Sequence, residues 1–412
     1  MKLTEKQNET ELTENIISSE FNHEDLEKII LNKEKLFGFP DLPDQAELVC
    51  FSHLRWDFVF QRPQHLLTRF AKKINVYFIE EPIFGQSGEK PGLGVSKRED
   101  NLTVITPMLP SGHTHHEVVE WQRSLITEFL AQKNIKDFIA WYYTPMALYF
   151  TDQLSPKVTV YDCMDELSMF AGAPPDLKEK ERELFEKADL VFTGGYSLYE
   201  AKQKSHRNVF PFPSSIDKAH FAKARNTMAD PLDQAPIPKP RMGFFGVIDE
   251  RMDVNLLRSV AEQRPDWQFI LLGPVVKINP ATLPKLPNVH FLGMKTYNEL
   301  PSYISNWDVA ILPFAMNDST RFISPTKTPE YLSAGKPVVS TPVKDVIRFY
   351  GENGLVHIAG DSQNFIKSVE AALLQQYDEK WLEKVDRLLA NHSWDNTWAK
   401  MTHLICEQWI NK

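Results

Sequence analysis

The stretch AELVCFSHLRWDFVFQRPQHLLTRFAKKINVYFIEEP (residues 46–82) decides the fold of the chain. AELVCFS is typical of a buried strand, Pro63 stands in the first turn of the helix RPQHLLTRFAKK, and INVYFIEEP indicates a second strand. A strand, a helix and a strand at this spacing form a βαβ unit, which joins parallel strands. Because a parallel sheet is covered by helices on both faces, the stretch predicts an α/β fold.

The same alternation continues in both directions and divides into two series. The first series ends near residue 217, and the segment 218–240, rich in Pro, Ala and charged residues, indicates a linker. A second series begins with RMGFFG at residue 241. The 412 residues also exceed one ordinary hydrophobic core. We therefore predict two Rossmann-like domains, each a doubly wound parallel sheet, facing across a cleft that holds the ligands.

The predicted boundaries follow from composition and pattern. The five parts are a polar N-terminal extension (1–45), an N-terminal domain (46–217), the linker (218–240), a C-terminal domain (241–391) and a final helix (392–412). The final helix carries large aromatic residues at helical spacing, so we expect it to pack back toward the first domain.

Composition excludes several classes of protein. With a net charge of −9, the chain lacks the basic field of a protein that coats nucleic acid or anionic lipid. The three cysteines lie far apart without CxxC spacing, which excludes a disulfide scaffold and a cysteine-based zinc site. The N-terminus lacks the apolar core of a signal peptide, and no run reaches the roughly 18 apolar residues that span a bilayer. We expect a cytoplasmic protein.

The motif SPTKTPEYLSAGKPVVS (residues 324–340) predicts a helix of about two turns that runs into a buried strand. Thr328 is the expected N-cap, and Gly335 is the expected C-cap. The free N–H groups of the first turn, together with Lys327, suit a phosphate group. A well-capped connector with a solvated lysine explains this stretch equally well.

Carboxylates and the loop after the first strand supply further candidates. KVTVYDCMDELS places Asp162 and Asp165 at the carboxyl end of a first-domain strand, where they would face the cleft. No DxD, GxGxxG, GxSxG or P-loop lysine motif is present in the sequence. We therefore predict no cofactor and no metal.

Several motifs resemble the GT-B glycosyltransferases that use nucleotide sugars. They are the two-domain layout, NVFPFPSSIDKAHF (208–221), and WDVAILPF (307–314) followed by the 324–340 motif. FSHLRWDFVFQRPQHLL (51–67) and GFFGVIDERMDVNLL (243–257) are similar to a bacterial subgroup that includes enzymes of teichuronic-acid and exopolysaccharide assembly, some of them glucuronosyltransferase-like. The resemblance covers roughly residues 46–412, and only the stretch around 324–341 is a specific motif.

This resemblance implies a hexosyltransferase-type enzyme. It would move a sugar from a nucleotide-diphosphate donor of the UDP type to a glycan or lipid-linked acceptor in cell-surface polysaccharide biosynthesis. The second domain would hold the donor and the first the acceptor. A lipid-linked acceptor implies at most a peripheral contact with the inner face of the membrane, through Lys72, Lys73 and first-domain aromatics.

The resemblance also assigns roles to individual residues. Glu330 stands where a family glutamate accepts hydrogen bonds from the ribose hydroxyls, and Lys327 where a lysine meets the diphosphate. Asp165 aligns with the catalytic aspartate of the glucuronosyltransferase-like relatives, and Asp162 is the reserve candidate. The other expected donor-binding residues are Thr328, Gly246, Arg251, Arg321, Gly273 and Met294. The expected acceptor-side residues are His53, Arg55, Trp56 and Asp57.

The sequence departs from the retaining members of the family. Phe322 occupies the position of their second glutamate, and Val247 and Met252 occupy the positions of an Arg and a Lys. Phosphate charge must then be met by Lys327 with Arg251 or Arg321. We therefore expect an inverting, metal-independent transferase, with a nucleotide-sugar 2-epimerase or a non-catalytic nucleotide-sugar-binding partner as alternatives.

Overall fold

The computed structural model of the chain describes residues 42–43 and 45–412. Nearly all of the predicted N-terminal extension, and with it that prediction, lies outside the described residues. Within them, no helix is long and apolar enough to cross a membrane.

The first sheet is built from the N-terminal half of the chain. Its strands are β1 (Glu47–Phe51), β2 (Asn75–Ile79), β3 (Ile83–Gly85), β4 (Gly92–Glu99), β5 (Leu102–Pro110), β6 (Phe138–Tyr142), β7 (Val158–Cys163), β8 (Leu190–Thr193) and β9 (Val209–Pro211). Their order is β3-β5-β2-β1-β6-β7-β8-β9, and all these pairs are parallel. β4 pairs with β5 as an antiparallel hairpin.

Between residues 45 and 217, the structure has five α-helices. They are α1 (Arg62–Ala71), α2 (His115–Gln132), α3 (Leu148–Thr151), α4 (Leu177–Lys187) and α5 (Tyr196–Lys202). Side chains of β1 alternate between the two faces of the sheet: Leu48 and Cys50 join one core layer, and Val49 and Phe51 join the other. All four are buried, as the uninterrupted apolar run of this strand predicts.

The second sheet has six parallel strands in the order β12-β11-β10-β13-β14-β15. They are β10 (Arg241–Phe245), β11 (Gln268–Leu272), β12 (Val289–Gly293), β13 (Val309–Leu312), β14 (Val338–Ser340) and β15 (Val356–Ile358). The order reverses between β10 and β13, and ligands of open α/β sheets bind at such a point. The prediction of two doubly wound parallel sheets is confirmed.

The helices of the second half complete the fold. They are α6 (Lys218–Ala222), α7 (Val254–Gln263), α8 (Leu300–Ser305), α9 (Lys327–Ser333), α10 (Lys344–Val346), α11 (Ser362–Gln375), α12 (Glu379–Leu388) and α13 (Trp394–Asn411). Phe221, Ala224 and Ile237 of the predicted linker are buried in the core of the second sheet. The segment 218–240 is therefore packed on the C-terminal half.

The final helix, α13, returns to the first sheet. Its residues Trp394, Met401, Ile405 and Trp409 are buried in the same core layer as Phe70 of α1. The chain thus crosses between the two halves twice.

The sequence analysis misplaced one cap and missed several elements. Helix α9 begins at Lys327, so Thr328 is not its N-cap; the residue before the helix is Thr326. Gly335 follows the helix with φ +71°, the left-handed conformation expected at this end. The strands β3, β4 and β15 and the helices α11 and α12 were not predicted.

Candidate active site

A cavity of about 660 Å³ lies between the two sheets, at the carboxyl ends of their strands. The first half contributes residues of the loops after β1, β7 and β8, including Trp56, Asp165 and Gly194. The second half contributes the loops after β10, β11 and β12 and the start of α9. This volume is in the range of small-molecule sites.

Two glycines bring the loops after β10 and β11 close together. Gly246 and Gly273 have φ of +145° and +140°, which L side chains rarely adopt. A Cβ atom on Gly246 would lie 2.2 Å from Cε of Lys327, and one on Gly273 would lie 1.9 Å from the carbonyl oxygen of Gly246. Only glycine at both positions therefore lets the lysine lie against this backbone.

Lys327 and Glu330 lie three residues apart on α9 and both line the cavity. Burial raises the pKa of Glu330, and the neighbouring Lys327 acts against this shift. Burial lowers the pKa of Lys327, an effect that Glu330 opposes and Arg251 reinforces. Oε2 of Glu330 is buried and has no hydrogen-bond partner in the protein. The pair thus offers one cationic donor and one open acceptor to a ligand.

Arg251 adds a second cation to the same side of the cavity. Its guanidinium is held by Asp249, with Nε–Oδ1 and Nη2–Oδ2 distances of 2.9 and 2.7 Å. The guanidinium also lies 5.5 Å from the ring centroid of Phe170, a first-domain residue. Sequence analysis left the second cation open between Arg251 and Arg321. The structure places Arg251 in the cavity, and Asp249 fixes its orientation.

Asp165 reaches the cavity from the first domain, directly after β7. Asp165 is half-buried, and no side chain caps the short helix Leu167–Met169 that follows it. Burial raises the pKa of Asp165, whereas Arg251 and Lys327 across the cleft act to lower it. A carboxylate thus stands on the opposite side of the cavity from the two cations, at a distance over which it interacts with both.

Comparison with known proteins shows what the chain is similar to. Residues 239–375 match the family of glycosyl transferases group 1. The chain is 27% identical over 276 residues to TuaH of Bacillus subtilis (strain 168), a glycosyltransferase provisionally assigned to teichuronic acid biosynthesis. This match covers 62% of the chain and 68% of TuaH. The protein is a glycosyltransferase of the GT-B type.

Solved structures are similar over nearly the whole chain. Sucrose-phosphate synthase from Thermosynechococcus elongatus superposes with a TM-score of 0.69 at 14% identity, covering 89% of this chain and all (100%) of that one. An E. coli trehalose-6-phosphate protein bound with UDP-2-fluoro glucose gives 0.63 at 13% identity, with 88% and 99% covered. The catalytic domain of starch synthase IV from Arabidopsis thaliana, bound to ADP and acarbose, gives 0.62 at 12% identity, with 89% and 99% covered. At these identities, the likeness confirms the fold.

Asp162 of the glycosyltransferase is not at the cavity. Its carboxylate is fully buried and accepts three hydrogen bonds from Arg62, two from Nε and one from Nη2, of 2.8–3.1 Å. Nη1 of Arg62 donates to the carbonyl oxygen of Phe212, at 2.7 Å. Asp162 therefore fixes the start of α1, and this buried ion pair does not fit the predicted role of a reserve base.

The four predicted acceptor-side residues lie in the loop after β1, and two of them line the cavity. Trp56 and Asp57 line the cavity. Arg55 instead donates to Oε2 of Glu80 at 3.1 Å and to two backbone carbonyl groups after β2. His53 also lies outside the lining, and burial lowers its pKa to about 4. Arg55 and His53 therefore shape the loop from behind.

Three further donor-side residues differ in their placement. Met294 lines the cavity. Thr328 is fully buried inside α9, and the exposed Arg321 stacks over the ring of Phe322, 5.2 Å from its centroid. Neither Thr328 nor Arg321 lines the cavity. Of the three cations predicted on the donor side, Lys327 and Arg251 line the cavity and Arg321 does not.

Tyr297 lines the cavity but was missed by the sequence analysis. Its hydroxyl is buried without a hydrogen-bond partner, and its ring stacks on His220 at 4.2 Å and lies 4.7 Å from Phe60. One sequence pattern could have indicated an ordered turn here. Thr296 and Glu299 form a capping box, which fixes the short turn Tyr297–Glu299 after β12.

Proposed function

We propose that this glycosyltransferase moves a sugar from a UDP-type nucleotide sugar to a glycan or lipid-linked acceptor in cell-surface polysaccharide assembly, with inversion at the anomeric carbon. The observation that carries the proposal is one cavity with Lys327, Arg251 and Glu330 on its second-domain side and Asp165 on its first-domain side. The similarity to TuaH supports the polysaccharide context. The E. coli neighbour bound with UDP-2-fluoro glucose supports a UDP-type donor.

The donor would bind on the second domain. The diphosphate would lie against the Gly246 loop, where Lys327 and Arg251 supply positive charge. The ribose hydroxyls would donate to the unpartnered Oε2 of Glu330. Ribose binding would thus satisfy a buried acceptor that the protein itself leaves open.

Asp165 would act as the general base. In-line displacement needs the acceptor hydroxyl to lose its proton on the face opposite the leaving diphosphate. Asp165 lines the cavity from the first domain, and burial raises its pKa, which makes the carboxylate a stronger base. Lys327 and Arg251 would stabilise the charge that develops on the diphosphate as the glycosidic bond breaks. Trp56, which packs edge-on against Phe78 at 5.0 Å, would form part of the acceptor platform.

A panel of UDP-sugars tests the proposed reaction. With a glycan or lipid-linked acceptor, mass spectrometry should detect a product heavier by one sugar, and NMR should show the inverted anomeric configuration. An epimerase would change the UDP-sugar without an acceptor. A product with retained configuration would contradict the mechanism.

Lys327→Ala should weaken UDP binding about 10- to 100-fold, because hydrogen bonds to charged groups contribute about 1.5–3 kcal/mol. Isothermal titration calorimetry measures the change. Lys285→Ala, at an exposed lysine of the same domain outside the cavity, is the matched control and should bind UDP as the wild type does. Unchanged affinity in Lys327→Ala would remove this lysine from the donor site.

Glu330→Gln should reduce the preference for UDP over 2′-deoxy-UDP by about 10-fold, because an amide offers a weaker, uncharged acceptor to the ribose. The two dissociation constants are measured for the wild type and for the variant. Glu262→Gln, at an exposed glutamate of α7, is the control. An equal loss of affinity for both nucleotides would argue against a ribose contact.

A further inference from the structure

The turn Gly194–Gly195, between β8 and α5, is enclosed by both domains. A Cβ atom on Gly194 would lie 2.2 Å from the carbonyl oxygen of Met164, the residue before Asp165. A Cβ atom on Gly195 would lie 2.6 Å from Oδ2 of Asp345 and 2.6 Å from Cβ of Ser324. The turn therefore lies between the Asp165 loop and the segment Ser324–Lys327 and is in close contact with both.

Asp345 fixes this contact from the second domain. Its side chain is 1% exposed, and its carboxylate accepts from the backbone N–H groups of Tyr196 and Ser197 at 2.9 and 3.0 Å. The hydroxyl of Ser197 donates to the same carboxylate at 2.5 Å. A carboxylate of one domain thus satisfies the free N–H groups at the start of α5 in the other.

Lys202, at the opposite end of α5, forms an ion pair with Glu166, the residue after Asp165. Nζ of Lys202 lies 2.6 Å from Glu166 and 2.7 Å from Glu181, and the lysine is buried. Glu166 also accepts from the hydroxyl of Ser168 at 2.8 Å. Since Glu166 directly follows Asp165, α5 supports the Asp165 loop at both of its ends, through Gly194 and through Lys202.

Exposed ion pairs lie beside the same contact. Glu200 of α5 pairs with Lys344 and Arg348 of the second domain, each at 2.6 Å. Exposed pairs contribute little to binding energy but favour one relative orientation of charged surfaces. The buried carboxylate of Asp345 constrains the position of α5 relative to the second domain. It has lost its contacts with water, so it needs the three donors that Tyr196 and Ser197 provide.

We propose that Asp345 is a positioning residue, which by capping α5 sets the distance between Asp165 and the donor-side segment Ser324–Lys327. The proposal rests on the proposed function only for the role of Asp165. Asp345 does not line the cavity, so it would act through α5 and not on the substrate. A change at this contact should therefore alter turnover and the separation of the domains, but not the binding of UDP to the second domain.

Gly195→Ala tests the proposal directly. Gly195 has φ −174°, an extended backbone that alanine adopts, so the added methyl group would clash only across the domain contact. We expect a larger radius of gyration by small-angle X-ray scattering and a kcat lowered about 10²-fold, the loss expected for a displacement of about 1 Å. Affinity for UDP should stay unchanged. Gly92→Ala is the matched control, because a Cβ atom there meets nothing within 4 Å.

Substitutions of Asp345 provide a graded check. Asp345→Asn keeps the shape and one acceptor oxygen, so it should lower kcat less than Asp345→Ala, with UDP affinity retained in both. Equal scattering curves and equal kcat for Gly195→Ala and Gly92→Ala would overturn the proposal. So would a lowered kcat without domain separation, or separation without a lowered kcat. If the wild type turned over no nucleotide sugar, the proposed function would fail, whereas the scattering comparison would still test the contact.

Discussion

Asp165→Asn should lower the rate of sugar transfer by about 10²–10⁴-fold, the usual loss when a general base is removed. The amide has nearly the shape of the carboxylate but cannot take up the proton of the acceptor hydroxyl. Because burial raises the pKa of Asp165, its charge is disfavoured in the folded protein, so we expect no loss of stability. UDP affinity should also be retained, since the proposed donor contacts lie on the second domain. Initial rates, thermal unfolding and calorimetry measure the three quantities.

Asp137→Asn is the matched control for this substitution. Asp137 is exposed and directly precedes β6, so it lies at the amino edge of the same sheet, opposite the cavity. Its variant should transfer sugar at the wild-type rate. A rate for Asp165→Asn close to that of the control would remove Asp165 from the reaction.

The second large effect is expected on stability. Asp162→Ala should lower the free energy of unfolding by about 3–5 kcal/mol, because it leaves the guanidinium of Arg62 buried without a counter-charge. Both partners are almost inaccessible to water, with side chains 2% and 0% exposed. Urea unfolding followed by circular dichroism measures the change. The double variant Arg62→Met/Asp162→Leu should be more stable than Asp162→Ala, because it removes both charges.

Asp57→Asn is the control for a surface pair. Asp57 pairs with Arg98 at 2.5 Å, but its side chain is 65% exposed, so the loss should stay below about 1 kcal/mol. Equal losses for Asp162→Ala and Asp57→Asn would show that the buried pair does not hold the start of α1.

Local sequence patterns predicted the parallel sheets and the short helix that carries Lys327 and Glu330. The strand β1 and the helix α1 are separated by a loop whose length and apolar pattern identify a βαβ unit without any tertiary information. The motif around Lys327 and Glu330 predicted a short helix and an anionic ligand, and the structure places both side chains in the cavity. These features depend on neighbours within a few residues.

The features that the sequence analysis missed depend on distant partners. Asp162 and Asp165 are three positions apart and look alike in sequence, but Arg62, which is 100 residues away from Asp162, pairs with it and leaves Asp165 for the cavity. Arg55 was likewise assigned to the acceptor, whereas Glu80 and two carbonyl groups engage it. Asp345 gave no sequence signal at all, because its partners at the start of α5 lie about 150 positions earlier.

The path of α13 has a consequence for recombining this enzyme with its relatives. Because Trp394 and the residues after it complete the core of the first sheet, a single junction at the linker would separate that core from one of its own layers. A hybrid that exchanges the C-terminal half must therefore be joined at two places, one near residue 217 and one near residue 392. The exchanged part is then an internal insert between two segments that share the core of the first sheet.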